Sequence, residues 1–295
     1  MKTRCFIVLL SLFLFVSCGE KRTNPLIQEL NDSWVVTTDT LNIKMQVDIP
    51  SVIQADMYEN GLIPHPYKSN VEPQLLWIPQ HEWTYTLDFV ADDYILDEDV
   101  VELVFEGLDT YADVWFNGKK ILHADNMFRT YSYDVKDIIK EKNNIKIKFY
   151  PFDKERDSLI ETYRLRFPEK YAVMRKAAYQ NGWDWAPRYM NMGIWQPVYL
   201  KAWTRSTICS ASVITKDIQD NQADLLFEAC VNADVEHNIS LQLFQDNVKI
   251  LDKKIELKKG KNYYSFPFEV VNPKLWYPNE LGEQNMYSFD LKMVD

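Results

Sequence analysis

The residues best suited to chemistry occupy positions 182–188, which read Gly-Trp-Asp-Trp-Ala-Pro-Arg. Strand alternation would send Trp183 and Trp185 to one side and Asp184 to the other. A loop conformation would instead splay all three side chains. Aromatic faces contact the C–H groups of pyranose rings, and a carboxylate accepts hydrogen bonds from vicinal hydroxyls. The run therefore indicates a sugar-binding site formed by these three residues.

A second interpretation of the same run stays open at this point. The chain contains 17 tyrosines, 15 phenylalanines and 9 tryptophans, and aromatic-rich cores are common in β proteins. Trp183 and Trp185 would then be core residues, and Asp184 would be a turn or capping acid.

Composition excludes several other kinds of site. Only 8 glycines are present, so glycine-rich phosphate-binding loops are not expected. The formal charge of −10 disfavours binding to a phosphate backbone, and no nucleic-acid partner is predicted. The 4 histidines are scattered, and no cysteine and histidine cluster has metal-ligand spacing. We therefore predict no cofactor and no metal.

The N-terminus has the pattern of an export signal. Lys2 and Arg4 precede an apolar run over residues 5–16, which is too short to span a bilayer, since that takes about 20 residues. The four residues ending at Cys18 resemble a bacterial lipoprotein box, although Phe15 stands where leucine is usual. We predict a lipoprotein signal peptide over residues 1–17 and lipidation of Cys18, followed by a tether over residues 18–25.

This resemblance also implies a location. An exported lipoprotein of this type would be anchored by lipid to a membrane in the periplasm or at the outer membrane of a Gram-negative bacterium.

Strand patterns dominate the rest of the chain and predict an all-β fold with two sandwiches. The first covers residues 26–204. About six short strands over residues 205–295 favour an immunoglobulin-like β-sandwich. Two hairpins are predicted, a type I′ turn at Asn117-Gly118 and a second turn at Gly260. Residues 153–179 have helical spacing and are predicted to form one or two short helices, divided near Phe167-Pro168.

The two cysteines of the second sandwich, Cys209 and Cys230, are predicted to be separate small apolar residues. Cys209 shares its alternation phase with Ala211 and Val213, whereas Cys230 is out of phase with its apolar neighbours. An oxidising compartment would permit a disulfide between them, so that alternative stays open.

Beyond these patterns, the chain resembles the N-terminal part of a β-mannosidase of glycoside hydrolase family 2. The Gly-Trp-Asp-Trp run with the following Pro-Arg is specific to the mannosidase branch, although Ala186 stands where glycine is usual. The other matching pieces follow one another along the chain: Pro66-Tyr67, Trp83-Thr84-Tyr85, Gly107-Leu108-Asp109-Thr110-Tyr111-Ala112, Asn117-Gly118, Asn126-Met127-Phe128-Arg129, Arg175-Lys176-Ala177, Gly193-Ile194-Trp195 and Trp276-Tyr277-Pro278-Asn279.

The resemblance implies a galactose-binding-like jelly-roll sandwich, then the immunoglobulin-like sandwich, then a catalytic (β/α)8 barrel. Members of this family are retaining glycosidases that use two glutamates of the barrel, about 5–5.5 Å apart. Asp184 would hold hydroxyls of the terminal mannose while Trp183 and Trp185 wall the subsite. Asp184 would then be a substrate-binding and positioning residue, and we predict no catalytic residue in this chain.

Length sets the last expectation. Both sandwiches occupy the chain up to residue 295, and a barrel needs roughly 250 residues by itself. Asn279-Glu280 resembles the acid/base dipeptide of the family, but its setting after Pro278 predicts a turn.

We therefore expect the non-catalytic N-terminal region of a β-mannosidase, whose partners are β-mannosides or manno-oligosaccharides. Their hydrolysis would require a catalytic barrel supplied in cis or in trans. The alternatives are a stand-alone carbohydrate-binding lipoprotein and an inactive truncated remnant.

Overall fold

The structure is a computed structural model that describes residues 25–38, 40–68, 70–164, 166, 170–219 and 221–294. Within these residues the chain forms sixteen strands and four short α-helices, and every strand pairing is antiparallel. The predicted all-β class is therefore confirmed. The leader and Cys18 lie outside the described residues.

Ten strands form the first part of the molecule. In chain order they are β1 (Leu26–Glu29), β2 (Trp34–Thr38), β3 (Ile43–Val47), β4 (Trp83–Val90), β5 (Val100–Phe105), β6 (Ala112–Phe116), β7 (Lys119–Ala124), β8 (Tyr131–Asp134), β9 (Lys142–Phe149) and β10 (Val198–Trp203). One sheet has the order β3-β2-β4-β9-β6-β7 and the other the order β1-β10-β5-β8. Residues of both sheets share one hydrophobic core, which makes this part a two-sheet sandwich.

Alternation along the strands explains this core. On β4, Trp83, Tyr85 and Leu87 face inward and are buried, while the residues between them are less buried. The largest fully buried side chains of the sandwich include Trp34, Phe105, Phe116 and Phe149.

The turn predicted at Asn117-Gly118 is confirmed. It joins β6 to β7, and both residues have positive φ, 51° for Asn117 and 81° for Gly118. Positive φ at both central positions defines the type I′ hairpin, and asparagine followed by glycine tolerates it best.

Short helices fill the connections of the sandwich. They are α1 (Ile53–Glu59), α2 (Glu72–Leu75), α3 (Asp93–Leu96) and α4 (Phe152–Tyr163), with 3-10 turns at Ile78–Gln80, Lys170–Val173 and Ala178–Asn181. The helical spacing over residues 153–179 is thus realised by α4 and the two later 3-10 turns. Helix α4 ends at Arg164, which adopts a left-handed φ of 50°. Phe167 and Pro168 lie outside the described residues.

The second part of the molecule is a smaller sandwich of six strands. They are β11 (Ser206–Gln219), β12 (Gln222–Ala233), β13 (His237–Gln245), β14 (Val248–Leu257), β15 (Gly260–Val271) and β16 (Phe289–Val294). One sheet has the order β11-β12-β15 and the other β14-β13-β16, with a separate core between them.

The hairpin predicted at Gly260 is wrong. Strands β14 and β15 belong to different sheets, and Gly260 lies opposite Ala233 of β12. The short connection is therefore a corner between the two sheets. The Asn262 side chain holds it, because it accepts a hydrogen bond from the Lys258 backbone N–H and donates one to the Lys258 carbonyl.

Candidate functional site

The run 182–188, here called the tryptophan loop, follows the 3-10 turn Ala178–Asn181. The Trp183 N–H donates to the Ala186 carbonyl, and the Ala186 N–H donates to the Trp183 carbonyl, both at 3.2 Å. These two bonds close a tight turn with Asp184 and Trp185 at its tip. The loop conformation that would splay the three side chains is the one observed.

Exposure separates these tryptophans from the core. Trp183 is 58% exposed and Trp185 is 83% exposed, and Asp184 is exposed as well. By contrast, Trp34 and Trp83 are fully buried. The interpretation of Trp183 and Trp185 as core residues is therefore wrong, because a closed turn lifts both rings off the sandwich. Large aromatic groups left in solvent around a carboxylate are typical of a binding surface.

The base of the tryptophan loop is held by Arg188. Its guanidinium donates to the Tyr171 hydroxyl at 2.5 Å and stacks on the Tyr171 ring at 5.2 Å. The guanidinium of Arg156 lies 5.2 Å from the same ring. Because the ring is contacted by two cations, the C-terminal stem of the loop is fixed to helix α4 and the turn that follows it.

A buried ion pair lies beneath the loop. The Lys176 ammonium contacts the Asp109 carboxylate at 2.5 Å, and the two side chains are 0% and 1% exposed. Lys176 also donates to the Asn191 carbonyl at 2.6 Å, and the Gln180 amide donates to the other Asp109 oxygen at 3.2 Å. The Gln180 side-chain oxygen accepts the Asn191 N–H at 3.1 Å. Both stems of the loop are thereby tied to Asp109.

Burial lowers the pKa of Lys176, and the charge and hydrogen bond of Asp109 oppose that shift. The ammonium is therefore retained in the interior only through its partners. Sequence reasoning missed this network, although both pieces were part of the resemblance. Gly107-Leu108-Asp109-Thr110 and Arg175-Lys176-Ala177 were seen as separate signatures, and nothing local indicates that they meet.

The segment after the loop is fixed by backbone contacts. Gly193 exchanges hydrogen bonds with Asp109 at 2.9 and 3.0 Å, and the Ser51 N–H donates to the Ile194 carbonyl at 2.9 Å. A Cβ added at Gly193 would lie 3.0 Å from both the Ser51 carbonyl and the Tyr85 hydroxyl. Glycine at this position thus permits the close approach that closes the site from below.

The tryptophan loop stands between two cavities. Trp183 and Asp184 line the first, of about 390 Å³, with Tyr171, Asn181 and others. Trp185 lines the second, of about 580 Å³. The two tryptophans therefore face different spaces, although they are two residues apart.

The second space, here called the aromatic cleft, is lined mainly by rings. Besides Trp185 these are Tyr58, His65, Tyr67, Tyr179 and Tyr189. Tyr58 and His65 pack edge to face at 5.0 Å between ring centroids, and Tyr67 and Tyr189 do so at 5.7 Å. Buried Gln54 also lines the cleft; its amide donates to the Met190 carbonyl at 3.0 Å, while its side-chain oxygen has no partner. Rings with one free acceptor suit a hydroxylated ligand.

Helix α1 forms one wall of this cleft and carries a buried carboxylate. Asp56 accepts hydrogen bonds from the Ser51 hydroxyl and, at 3.0 Å, from the Tyr85 hydroxyl. Burial raises the pKa of Asp56 from 3.8 to about 6, against the opposing effect of these two bonds. A raised carboxyl pKa favours folding when the group is protonated, so its contribution is full below about pH 4 and is lost as pH rises through 6.

We expect the free energy of unfolding of the parent chain to fall between pH 4 and pH 7, relative to Asp56→Asn, by about 3 kcal/mol. Urea unfolding of both proteins across that range measures this difference. Asp137→Asn, at an exposed aspartate, is the control and should follow the parent. Parallel profiles for the parent and Asp56→Asn would contradict this role.

Other predicted features were located as follows. Glu280 is exposed, has a φ of 68° and lies in a turn closed by the Leu281 N–H and the Pro278 carbonyl at 3.0 Å, so the predicted turn at Asn279-Glu280 is confirmed. Among the described residues no group of three or more histidine, cysteine, aspartate or glutamate side chains is placed to hold a metal. No helix in the same residues has the length and apolar character needed to cross a membrane.

Comparison with known proteins shows the family to which this chain belongs. The family described as glycosyl hydrolase 2 galactose-binding domain-like matches residues 31–196. The chain therefore belongs to glycosyl hydrolase family 2, and the galactose-binding-like class of its first sandwich is confirmed.

Several of its relatives are β-mannosidases. It is 28% identical to β-mannosidase A of Aspergillus aculeatus over 90% of this chain and 32% of the relative, and 29% identical to β-mannosidase B of Thermothelomyces thermophilus over 81% and 28%. The crystal structure of the β-D-mannosidase of Dictyoglomus thermophilum matches with a TM-score of 0.83 and 28% identity, over 92% of this chain and 34% of that one. The exo-chitosanase of Amycolatopsis orientalis, at 22% identity and a TM-score of 0.72, shares the fold.

The resemblance to the N-terminal region of β-mannosidases is thus confirmed. The chain spans about a third of the length of the curated relatives it matches.

Proposed function

We propose that this chain is the non-catalytic N-terminal region of a β-mannosidase and that its tryptophan loop positions the terminal sugar of the substrate. The relatives that cover most of the chain are β-mannosidases, which supports this substrate class. The observation that carries the proposal is the closed turn at Trp183–Ala186, which presents two exposed indoles and a carboxylate on a rigid base.

The proposed mechanism follows from the first cavity. The Trp183 ring packs against the C–H face of the terminal β-mannose, and the Asp184 carboxylate accepts hydrogen bonds from its hydroxyls. Trp185 lies on the other side of the loop, in the aromatic cleft, where it would contact a part of the substrate beyond the terminal sugar. A loop held by the Lys176 and Asp109 pair fixes the orientation of the ring. Two carboxylates of a catalytic (β/α)8 barrel, supplied in cis or in trans, would then meet a correctly oriented anomeric carbon.

The domain arrangement is part of the proposal. We place the boundary between the two sandwiches near residue 204, giving a jelly-roll domain over 26–204 and an immunoglobulin-like domain over 205–295. The two separate hydrophobic cores, one on each side of that position, support the division. Limited proteolysis that releases no fragment ending near residue 204, even at high protease, would argue against it.

Direct sugar binding by this chain tests the role of the loop. We expect the purified chain to bind methyl β-D-mannoside with a Kd in the millimolar range, measured by NMR of the indole N–H groups. Trp183→Ala should weaken binding about tenfold, since it removes the stacking face. Trp276→Ala is the matched control, because Trp276 is 54% exposed, close to Trp183, and lies in the second sandwich.

Equal affinities in Trp183→Ala and Trp276→Ala would contradict the proposal.

The aromatic cleft also favours a second candidate, a stand-alone carbohydrate-binding role for the same chain. Calorimetry with manno-oligosaccharides separates the two, because a stand-alone binder should give tighter binding as the oligosaccharide lengthens and reaches the cleft. No heat at millimolar oligosaccharide would exclude that second role.

We further propose that the chain is exported and anchored through lipid on Cys18, as the pattern of its first residues indicates. Cells fed a radiolabelled fatty acid should label the parent protein, and Cys18→Ser should lose the label and leave the membrane fraction. Labelling that persists in Cys18→Ser would contradict this anchor.

A further inference from the structure

A β-bulge brings the two cysteines of the second sandwich together. Along β11 and β12, Ile208 lies opposite Val231, but Ser210 lies opposite Cys230, so Cys209 is the extra residue of the bulge. A bulge shifts the phase of every residue beyond it. Before it the inward positions are even-numbered, as at Ile208, and after it they are odd-numbered, as at Val213, which packs on the core.

The prediction that Cys209 shares the phase of Val213 is therefore wrong. Cys209 is exposed, which puts it on the outer face of the sheet, and Cys230 points to the same face because its neighbours Ala229 and Val231 point into the core. The two side chains are close enough for Cys230 to affect the pKa of Cys209. Neighbouring positions on antiparallel strands have Cα atoms about 4.5–5.5 Å apart, which is within the range that a disulfide bridges.

The two thiols differ in accessibility. Cys209 is exposed, Cys230 is 5% exposed, and both are reduced in the structure. Burial, followed by the contact with Cys230, raises the pKa of Cys209 to about 11. At neutral pH the Cys209 thiol is therefore protonated and reacts slowly, and its reaction rate should rise with pH because the thiolate is the nucleophile.

We propose that Cys209 and Cys230 form a disulfide across β11 and β12, made by exchange with a small-molecule disulfide such as glutathione disulfide. The exposed Cys209 thiolate attacks one glutathione sulfur and expels a glutathione thiolate, leaving a mixed disulfide. The Cys230 thiolate then attacks the Cys209 sulfur and expels the second glutathione. Two protons and two electrons pass to glutathione, and one Sγ–Sγ bond forms.

The position of the bond gives it a structural effect. Strand β11 begins at Ser206, directly after β10 of the first sandwich ends at Trp203. A bond at Cys209 would fasten the start of β11 to β12 and close a covalent loop over residues 209–230. Cross-links stabilise by restricting the unfolded chain, so the oxidised second sandwich should resist unfolding.

Peptide mapping tests the bond in the full chain. Trypsin places Cys209 in the peptide 206–216 and Cys230 in the peptide 217–249. After incubation with excess glutathione disulfide at pH 8 and alkylation, we expect the two peptides to be recovered linked. Cys209→Ser and Cys230→Ser are the controls: neither should give linked peptides, and Cys230→Ser should give a glutathione adduct on the exposed Cys209. Separate alkylated or glutathionylated peptides from the folded parent would overturn the proposal.

Thermal unfolding provides a second readout that does not depend on mapping. The oxidised parent should melt about 5 °C above the reduced parent. Cys209→Ser should melt at one temperature in both buffers. Equal melting temperatures for the oxidised and the reduced parent would overturn the stabilising effect.

Discussion

Asp184→Ala will lower kcat/KM for p-nitrophenyl β-mannoside by about 100-fold or more when the chain is joined to the catalytic barrel of a related β-mannosidase. The carboxylate stands at the tip of a closed turn, exposed and beside Trp183 in the first cavity. A hydrogen bond to a charged group contributes roughly 1.5–3 kcal/mol, and two of them to adjacent hydroxyls reach this effect. Because the residue orients the ring, we expect kcat to fall as well as the affinity for substrate.

The host for this measurement is a chimera in which the chain replaces the matching third of the Dictyoglomus thermophilum β-mannosidase, with which it superposes at a TM-score of 0.83. The unmutated chimera provides the reference rate. Asp137→Ala removes an exposed aspartate elsewhere in the same sandwich and should leave the kinetics unchanged. Kinetics of Asp184→Ala within threefold of the reference would mean that the carboxylate does not hold the sugar.

Lys176→Met will lower the free energy of unfolding of the chain by about 3–5 kcal/mol. The substitution keeps the length of the side chain but leaves the Asp109 carboxylate, 1% exposed, without its cation. An unpaired buried charge costs far more than the pair contributes, and the Asn191 carbonyl also loses its donor. Since both stems of the tryptophan loop join here, we also expect the loop to lose its fixed position.

A more exposed ion pair in the same sandwich serves as the comparison. The Lys120 ammonium contacts Asp113 at 2.7 Å, and the two side chains are 51% and 13% exposed. Without Lys120, Asp113 keeps its contacts with His123 and the Tyr150 hydroxyl. Lys120→Met should therefore cost less than about 1 kcal/mol. Urea unfolding of the parent chain, Lys176→Met and Lys120→Met measures both losses of stability. NMR of the indole N–H groups shows whether the tryptophan loop keeps its position. If Lys176→Met cost no more than Lys120→Met, the buried pair would not be the support of the loop.

What the sequence predicts well here is local. Asn117-Gly118 determines its own turn, because asparagine and glycine accept positive φ more readily than most residue types. The tryptophan loop was recognisable because two indoles beside one carboxylate are an unusual group of residues in a short run. Its residue types indicated a surface site, and the closed turn then explained why neither ring joins the core.

The errors and omissions have nonlocal causes. Gly260 marks a turn, but whether the next strand pairs with the previous one or crosses to the other sheet depends on the packing of the whole sandwich. The phase of Cys209 depends on a bulge that is defined only by the partner strand. Asp109 and Lys176 are 67 residues apart in the chain, and their pairing exists only once both sheets are assembled.

Asp184 and Trp183 are proposed to hold the terminal sugar of the substrate. A crystal structure of the chimera with a mannose-configured inhibitor would show whether they do so. We predict an Asp184 carboxylate oxygen about 2.6–3.2 Å from a hydroxyl of the terminal sugar, with the Trp183 ring against its C–H face. A bound sugar whose atoms all lie more than about 5 Å from that carboxylate, beyond any hydrogen bond, would mean that Asp184 does not hold the sugar.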